Sequence, residues 1–258
     1  MPAKLVVSRL GKSFDGLEAL RGIDLGIARG EFICVVGPSG CGKTTFLRII
    51  AGLERSSSGE VLLDGRAVRH PGRDRGFVFQ NDSLLPWRTV LHNAMIGREI
   101  AGDAGPAQRR RTTELLKLVG LEGFEHYYPR QLSGGMRQRV NLARALAIDP
   151  EILLMDEPFA ALDAQTREIM QTELLRIWER GHKTVVFVTH QIDEAVFLAD
   201  RVLVFARRPG RLQEEVKITL PRPRRLDIKR TTEFVNLVDH IWRLIEDDVR
   251  AAALYENA

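Results

Sequence analysis

Residues 37–45 read Gly-Pro-Ser-Gly-Cys-Gly-Lys-Thr-Thr, and this stretch decides the fold. The apolar run Phe32–Val36 before it predicts a buried strand, and residues 46–51 after it predict a helix that ends at Gly52. A strand, a glycine-rich loop, a Lys-Thr pair and a helix together identify a phosphate-binding P-loop. The alternative is a glycine-rich turn that contains a Lys-Thr pair by chance. The complete pattern favours the P-loop over this alternative.

The residue types of this loop match the chemistry of a nucleoside triphosphate. Its glycines let successive backbone N–H groups turn into one concavity, at a helix N-terminus whose dipole favours an anion. Lys43 supplies a charge for the outer phosphates, and the Thr44 hydroxyl is a ligand for Mg²⁺. The predicted nucleotide-binding residues of the loop are Gly37, Pro38, Ser39, Gly40, Cys41, Gly42, Lys43, Thr44 and Thr45.

Composition narrows the class of protein further. The chain has 258 residues and a formal net charge of +4, too weak a positive charge to predict nucleic-acid binding by itself. Its apolar runs are much shorter than the roughly 20 residues that span a bilayer, so we expect a cytoplasmic protein. The two cysteines, Cys34 and Cys41, do not indicate a disulfide framework. Cys41 is either an accessible thiol whose alkylation blocks nucleotide binding or a small filler residue.

Two adjacent carboxylates follow another predicted strand. The apolar run at residues 152–155 ends in Asp156 and Glu157. Packing does not need carboxylates there, and burying them would cost free energy without a partner. A phosphate-bound Mg²⁺ provides that partner for Asp156, and Glu157 can then deprotonate the attacking water. The alternative, two solvated loop carboxylates, is improbable downstream of a P-loop.

Three further positions are candidates for nucleotide contact. Ser133 is a good N-cap, and Gly134 and Gly135 after it bring backbone close to a ligand, although any capped helix gives the same pattern. His190 ends the apolar run 185–189, where a γ-phosphate contact is preferred over a structural role. Phe14, in a polar turn, either stacks on a base or closes the edge of the core.

The order of the predicted elements indicates an α/β P-loop NTPase (RecA-like) core with an antiparallel β flank and an inserted α-helical subdomain. Strands of the flank are predicted around residues 4–8, 23–27 and 60–64. The discontinuous core is assigned to residues 1–85 and 150–210, and the helical subdomain to 86–149, where no strand is predicted. Residues 211–258 are interpreted as a basic linker and an amphipathic C-terminal helix.

These sequence motifs, in this order along the chain, resemble those of the ATP-binding-cassette (ABC) transporter ATPases, and the resemblance covers nearly the whole chain. The Leu-Ser-Gly-Gly segment beginning at Leu132, inside a helical insertion, separates this family from other P-loop proteins. The match is closest to the import ATPases of the nitrate, sulfonate and taurine group. It rests on residues 84–90 (Leu-Leu-Pro-Trp-Arg-Thr-Val), residues 136–139 (Met-Arg-Gln-Arg) and residues 220–224 (Leu-Pro-Arg-Pro-Arg).

The resemblance implies roles position by position. Phe14 would stack on adenine, and Gln80 would reach the Mg²⁺ or the water and respond to the membrane partner. Ser133 and Gly135 would contact the γ-phosphate held by an opposite subunit. Asp156 would serve Mg²⁺, and Glu157 would be the general base. His190 would sense the γ-phosphate, and Asp163 would help align the subunit interface.

Two positions depart from the commonest pattern of the family. Phe14 in place of the usual Tyr keeps stacking, and Met136 in place of the usual Gln leaves the Ser133 and backbone donors intact.

The resemblance also implies partners and a place in the cell. Two copies of the chain would sandwich two ATP molecules, and integral membrane permease subunits would dock near residues 80–87. A periplasmic or extracellular solute-binding protein would join the same complex, at the cytoplasmic face of the inner membrane. From spacing alone, the run that contains Leu84, Leu85 and Trp87 is either such a docking surface or packed beneath a helical subdomain.

Two other functions compete with an importer subunit. A soluble cassette ATPase acting on nucleic acid or ribosomes would be expected to carry a coiled-coil insertion, a tandem cassette or a strongly basic domain, and the sequence has none of these. A regulatory protein that binds ATP without turnover would not need Asp156, Glu157 and His190 together.

Overall fold

The computed structural model describes residues 3–81, 83–181, 183–207 and 209–256, without the side chains of Val249 and residues 251–256. The strands, in chain order, are β1 (Ala3–Phe14), β2 (Leu17–Ala28), β3 (Phe32–Val36), β4 (Ser58–Leu63), β5 (Arg66–Ala67), β6 (Arg75–Val78), β7 (Ile152–Asp156), β8 (Thr184–Val188), β9 (Arg201–Phe205) and β10 (Leu212–Lys217). The α-helices are α1 (Lys43–Ala51), α2 (Val90–Ile100), α3 (Pro106–Leu118), α4 (Gly134–Ala147), α5 (Ala164–Gly181), α6 (Ile192–Leu198) and α7 (Thr232–Glu256).

The chain forms two compact units, one made of Met1–Gly72 with His182–Ala258 and the other of Arg73–Gly181. The boundaries of the second unit differ from residues 86–149, which the sequence assigns to the helical subdomain, and that assignment stays a prediction. Between residues 89 and 148 the structure contains α2, α3, α4 and one short 3₁₀ helix, so the predicted absence of strands there is confirmed.

The first unit contains two sheets. In one sheet β3 lies between β8 and β9 and runs parallel to both, and β10 pairs with β9 in antiparallel orientation. Every residue of β3 and β8 is buried, as expected of parallel strands covered on both faces. In the other sheet the order is β2-β1-β4-β5, all antiparallel, which confirms the predicted flank.

The part of residues 211–258 that precedes the C-terminal helix is not a simple linker, so the linker interpretation is wrong there. Residues 212–217 form the strand β10, and the side chains of Val216, Ile218 and Leu220 are buried. The sequence obscures this strand because polar and charged residues alternate with few apolar ones along an edge position.

The C-terminal helix α7 packs within the first unit, as its amphipathic pattern predicted. Its side chains of Phe234, Ile241 and Ile245 are buried, and the helix contacts α6 and β9. Val249, which the pattern places on the same face, lies outside the described side chains. None of the described helices combines the length and the apolarity that crossing a membrane requires.

In the second unit β6 and β7 pair in parallel, and α4 packs on β6. The packing is close at Gly76 of β6, where an added Cβ would lie 2.8 Å from the carbonyl oxygen of Ala145. A larger residue at position 76 would therefore separate helix from strand. Helix α4 also contacts α2 and α3, so it is central to the helical part of this unit.

Candidate nucleotide site

The P-loop joins β3 to α1 with the geometry that its sequence predicts. Gly42 has a φ of 94°, which favours glycine, and an added Cβ there would lie 2.6 Å from Cδ2 of Leu20. Helix α1 begins at Lys43, no side chain caps its N-terminus, and its first turn contains no acidic residue. The backbone donors at this helix start are therefore arranged for an anionic ligand.

Lys43 lies inside the loop that precedes it. Its side chain is buried, and Nζ donates hydrogen bonds to the carbonyl oxygens of Gly37 at 2.7 Å and Pro38 at 3.1 Å. Burial of an ammonium group without hydrogen bonds would be costly, so these contacts keep the charge in the loop. A cation held beside backbone donors is what the β- and γ-phosphates of a nucleotide need.

Cys41 is fully buried in the P-loop, so the interpretation as an accessible thiol is wrong. Burial raises the pKa of its thiol, and the charge of Lys43 opposes this effect only in part. A protonated, buried thiol reacts poorly with alkylating reagents. Cys41 therefore fits the other interpretation, a small side chain that fills space beneath the loop.

Gly210 supports the P-loop, and sequence reasoning missed it because it lies more than 160 positions downstream. Its N–H donates to the carbonyl oxygen of Ala19 and its own carbonyl accepts from the N–H of Arg21, both at 2.9 Å. A Cβ at this position would collide with the carbonyl oxygen of Cys41. Only glycine at position 210 lets its backbone approach the P-loop backbone at Cys41 so closely.

We expect Gly210→Ala to weaken ATP binding about tenfold, because relieving the collision displaces the P-loop backbone from phosphate-binding geometry. The measurement is an equilibrium titration of the purified chain with a fluorescent ATP analogue. Gly105→Ala is the matched control, since a Cβ there meets nothing within 4 Å. Equal affinity of the Gly210→Ala variant and the native chain would show that the loop tolerates the methyl group.

Phe14 ends β1 at the tip of the hairpin with β2, and 41% of its surface is exposed. The interpretation as a core aromatic is therefore wrong. The ammonium of Lys12 lies 4.4 Å from the ring centroid, a cation–π contact with one face of the ring. An exposed ring can stack on a base, and that role stays a prediction.

His190 lies at the same edge of the parallel sheet as the P-loop. Strands β3 and β8 pair in register, with Val35 opposite Val188, and the N–H of Thr189 donates to the carbonyl oxygen of Val35 at 3.1 Å. The carboxyl ends of the two strands therefore meet, and the exposed side chain of His190 follows one of them while the P-loop follows the other.

In the second unit, Asp156 and Gln80 follow neighbouring strands. Asp156 is the last residue of β7 and is 5% exposed, and Gln80 lies two residues after β6. Because Val78 pairs with Met155 in parallel register, both residues lie at the carboxyl edge of this pair. The structure thus places Gln80 and Asp156 at the same edge of this strand pair, in agreement with the shared Mg²⁺ role that the resemblance implies, and that role stays a prediction.

Glu157 has a φ of 45°, which is unusual for a residue with a side chain. Its side chain is partly exposed, while that of Asp156 before it is buried. The sharp turn therefore separates the two carboxylates into different environments. Strained backbone of this kind is concentrated at functional sites, which supports a chemical role for Glu157.

The helix predicted to begin after Ser133 is present as α4, and anion binding at its N-terminus stays a prediction. Ser133 is the N-cap, its hydroxyl oxygen accepts from the N–H of Met136 at 3.3 Å, and the first turn has no acidic residue. Ser133 and Gly134 are exposed, and a Cβ on Gly135 would lie 2.9 Å from Cγ2 of Thr166. The backbone donors of this helix are thus presented at the surface of the described unit.

Asp163 caps the next helix in the same unit. Its carboxylate accepts the N–H of Thr166 at 2.9 Å, and these hydrogen bonds hold the pKa of Asp163 below its usual value. Its side chain is exposed. The structure therefore gives Asp163 a helix-capping role, and the interface role implied by the resemblance stays a prediction.

How a metal ion could be held depends on which side chains offer ligand atoms. The described residues contain no group of three or more His, Cys, Asp or Glu side chains suited to a metal ion. Mg²⁺ commonly takes one or two protein ligands and completes its shell with water and phosphate oxygens. The buried carboxylate of Asp156 and the hydroxyl of Thr44 are oxygen donors of the kind that Mg²⁺ prefers.

A P-loop between a buried strand and a helix, a strand-terminal pair of carboxylates and an exposed Leu-Ser-Gly-Gly helix start are together typical of ATP-binding cassettes. The family model described as ABC transporter matches residues 20–160. The chain belongs to this family, and it is an ATP-binding, ATP-hydrolysing subunit of the ABC type.

Curated relatives match over most of their length and most of this chain. An uncharacterized ABC transporter ATP-binding protein of Methanocaldococcus jannaschii is 54% identical over 96% of this chain and 94% of its own length. The nitrate import ATP-binding protein NrtD of Synechocystis is 45% identical over 93% of this chain and 94% of its own length. The taurine import ATP-binding protein TauB of Yersinia pestis is 50% identical over 83% of this chain and 84% of its own length.

A solved structure has the same fold. The ATP-binding cassette MJ0796, in a dimeric post-hydrolysis state bound to ADP and phosphate, superposes with a TM-score of 0.74 and 35% sequence identity. The match covers 84% of this chain and all of that one. The predicted α/β P-loop fold with its antiparallel flank and helical insertion is thereby confirmed.

Proposed function

We propose that this chain is the energy-coupling subunit of an importer for a small anion such as nitrate, a sulfonate or taurine. The nitrate and taurine import proteins among its relatives support this class of solute. A separate solute-binding protein and the permease subunits would select the solute. The chain would act at the cytoplasmic face of the membrane, bound through the permease.

In this proposal each described unit contributes part of the chemistry. Lys43 and the P-loop donors hold the phosphates, Phe14 stacks on adenine, and His190 contacts the γ-phosphate. In the second unit Glu157 is the general base for the attacking water, and Gln80 orients that water. Thr44, Gln80 and Asp156 are the oxygen donors proposed for Mg²⁺, which would neutralise phosphate charge during hydrolysis.

The proposal also includes a second copy of the chain. The exposed N-terminus of α4, with Ser133, Gly134 and Gly135, would contact the γ-phosphate bound by that copy. The dimeric cassette with ADP and phosphate supports this assembly. Two copies would then enclose two ATP molecules, and hydrolysis would remove the γ-phosphates that hold them together.

The observation that carries the permease contact is the exposure of Trp87. Its side chain is 71% exposed, the largest exposed fraction among the aromatic side chains described as exposed. Residues 80–87 form the docking segment of this proposal, of which Asp82 lies outside the described residues. An exposed indole in a short segment after Gln80 is typical of a protein contact surface.

The docking segment is held in shape by the buried side chain of Asn93. Its Oδ1 accepts from the N–H of Leu85 at 2.7 Å, and its Nδ2 donates to the carbonyl oxygens of Leu85, Arg88 and Thr89 at 3.0–3.1 Å. The backbone around Trp87 is therefore held by hydrogen bonds to Asn93, while the indole is exposed. A preformed loop loses little conformational entropy when a partner binds.

We expect the Trp87→Ala chain to fail to capture a membrane protein that the native chain captures, because a central exposed aromatic side chain commonly dominates a protein contact. The tagged chain is captured from detergent-solubilised host membranes, and the retained proteins are identified by mass spectrometry. ATP binding by the variant should be unchanged, since Trp87 is not part of the P-loop.

Trp242→Ala is the matched control, because Trp242 is also exposed but lies on α7 in the other unit. Capture of one stoichiometric polytopic membrane protein by the native chain and by Trp242→Ala, but not by Trp87→Ala, is the expected result. Equal capture by all three chains would reject the docking segment. Ribosomes or nucleic acid in place of a membrane protein would favour the soluble-ATPase alternative.

A further inference from the structure

The backbone around His190 is fixed by a buried hydrogen bond between two polar side chains. The hydroxyl of Thr189 donates to Oε2 of Glu194 at 2.5 Å, and both residues are buried. The same hydroxyl oxygen accepts the N–H of Gln191 at 3.0 Å. His190 therefore lies between two residues whose positions depend on one hydroxyl group.

The carboxylate that orients this hydroxyl lies in the interior of the first unit. Glu194 is 3% exposed, on the first turn of α6. Burial raises the pKa of the Cys34 thiol, and the negative charge of Glu194 raises it further. A carboxylate held inside the protein costs free energy compared with an apolar side chain, unless hydrogen bonds compensate it.

The other end of α6 is held by Arg224, from the segment after β10. Its Nη1 donates to the carbonyl oxygens of Val196, Phe197 and Ala199 at 3.2, 3.0 and 2.7 Å. The side chain is 5% exposed. The last carbonyls of a helix lack intrahelical partners and carry the negative end of its dipole, so one guanidinium satisfies several of them.

We propose that Glu194 and Arg224 are positioning residues for His190. Glu194 fixes the turn at residues 189–191 through the Thr189 hydroxyl, and Arg224 fixes the opposite end of α6. The basic segment near the C-terminus is thereby connected to the nucleotide site. This inference rests on the proposed role of His190 at the γ-phosphate and adds to it the residues that set its position.

The first test measures steady-state phosphate release by the full-length chain at varied Mg²⁺-ATP. We expect Glu194→Ala to lower kcat about tenfold and to change KM less than twofold, because a misplaced contact to the γ-phosphate affects the chemical step more than binding. Glu194→Gln keeps an acceptor oxygen for the Thr189 hydroxyl. It should therefore remain within about threefold of the native kcat.

A double-mutant comparison separates positioning from general stability. If Glu194 acts through His190, Glu194→Ala should cause no further loss of kcat in a His190→Ala chain. An equal fold-loss in both backgrounds would overturn the inference while leaving the role of His190 intact. If His190→Ala alone leaves kcat unchanged, the proposed role of His190 fails, and this inference fails with it.

A nearly isosteric change tests the same turn if Glu194→Ala does not fold. Thr189→Val removes the hydroxyl while keeping the side-chain volume, and we expect it to lower kcat as Glu194→Ala does. Thr189→Ser restores the hydroxyl and should restore most of the rate. A Thr189→Val chain with the native kcat would contradict the inference.

The contribution of the C-terminal segment has its own control. Arg224→Ala should lower kcat several-fold, and this effect should also vanish in the His190→Ala background. Arg225→Ala removes an exposed neighbour of the same charge and should leave kcat unchanged. Equal rates for the Arg224→Ala and Arg225→Ala chains would remove Arg224 from the proposal.

Discussion

We expect Glu157→Gln to lower the rate of ATP hydrolysis by about a hundredfold or more and to leave ATP binding intact. The amide has nearly the shape of the carboxylate but cannot accept a proton from the attacking water. Binding should be preserved because, in the proposed mechanism, the P-loop holds the phosphates, and the substitution does not touch the hydrogen bonds of Lys43 within that loop. Phosphate release and nucleotide titration on the same preparation measure the two effects.

Glu151→Gln is the control for this prediction. Glu151 is an exposed residue directly before the first residue of β7, so Glu151→Gln removes the same charge but lies away from the carboxyl edge. Its hydrolysis rate should equal that of the native chain. A Glu157→Gln chain that hydrolyses ATP at more than about a tenth of the native rate would reject Glu157 as the general base.

Lys43→Ala should weaken ATP binding by about 10- to 100-fold, because a charge-assisted hydrogen bond to phosphate is lost. The loss also removes the ammonium that bonds the carbonyl oxygens of Gly37 and Pro38, so the loop loses internal support. Titration with a fluorescent ATP analogue measures the change. Hydrolysis at saturating ATP should fall as well.

Arg48→Ala is the matched control for Lys43→Ala. Arg48 is an exposed cation in the last turn of the same helix, α1, so the net charge changes equally and the P-loop is untouched. We expect its ATP affinity to stay within about twofold of the native value. If both variants bind ATP equally well, Lys43 does not hold the phosphates.

The parts of the fold that the sequence predicted are those with strong local patterns. The P-loop couples a buried run, glycines and a Lys-Thr pair within a few residues, and Ser133 lies directly at the N-cap of an amphipathic helix. Asp156 and Glu157 follow a run of four apolar residues. In each case the residues that form the local structure are also the residues for which we propose a chemical role.

The parts that the sequence missed depend on contacts between distant residues. Gly210 matters because of the carbonyl oxygen of Cys41, and Arg224 matters because of the carbonyls that end α6. Neither glycine nor arginine reveals such a partner by its spacing. The sequence predicts a linker where the edge strand β10 lies, because an exposed edge strand needs few apolar residues.

The sequence also did not predict whether the side chains at two positions of the site are buried or exposed. Cys41 and Phe14 each had one interpretation as exposed and one as packed, and neighbouring residues did not decide between them. The structure buries the thiol under the P-loop and exposes the ring at a hairpin tip. Both outcomes follow from tertiary packing that periodicity does not encode.

The central claim is that two copies of this chain enclose ATP, and the mass of the Glu157→Gln chain in solution tests it most directly. Light scattering should give the 29.1 kDa chain without nucleotide or with ADP, and twice that mass with Mg²⁺-ATP. Adding a Ser133→Arg change should prevent the increase, because the exposed start of α4 could then not reach the second nucleotide. A single-chain mass for Glu157→Gln at saturating ATP would contradict the account.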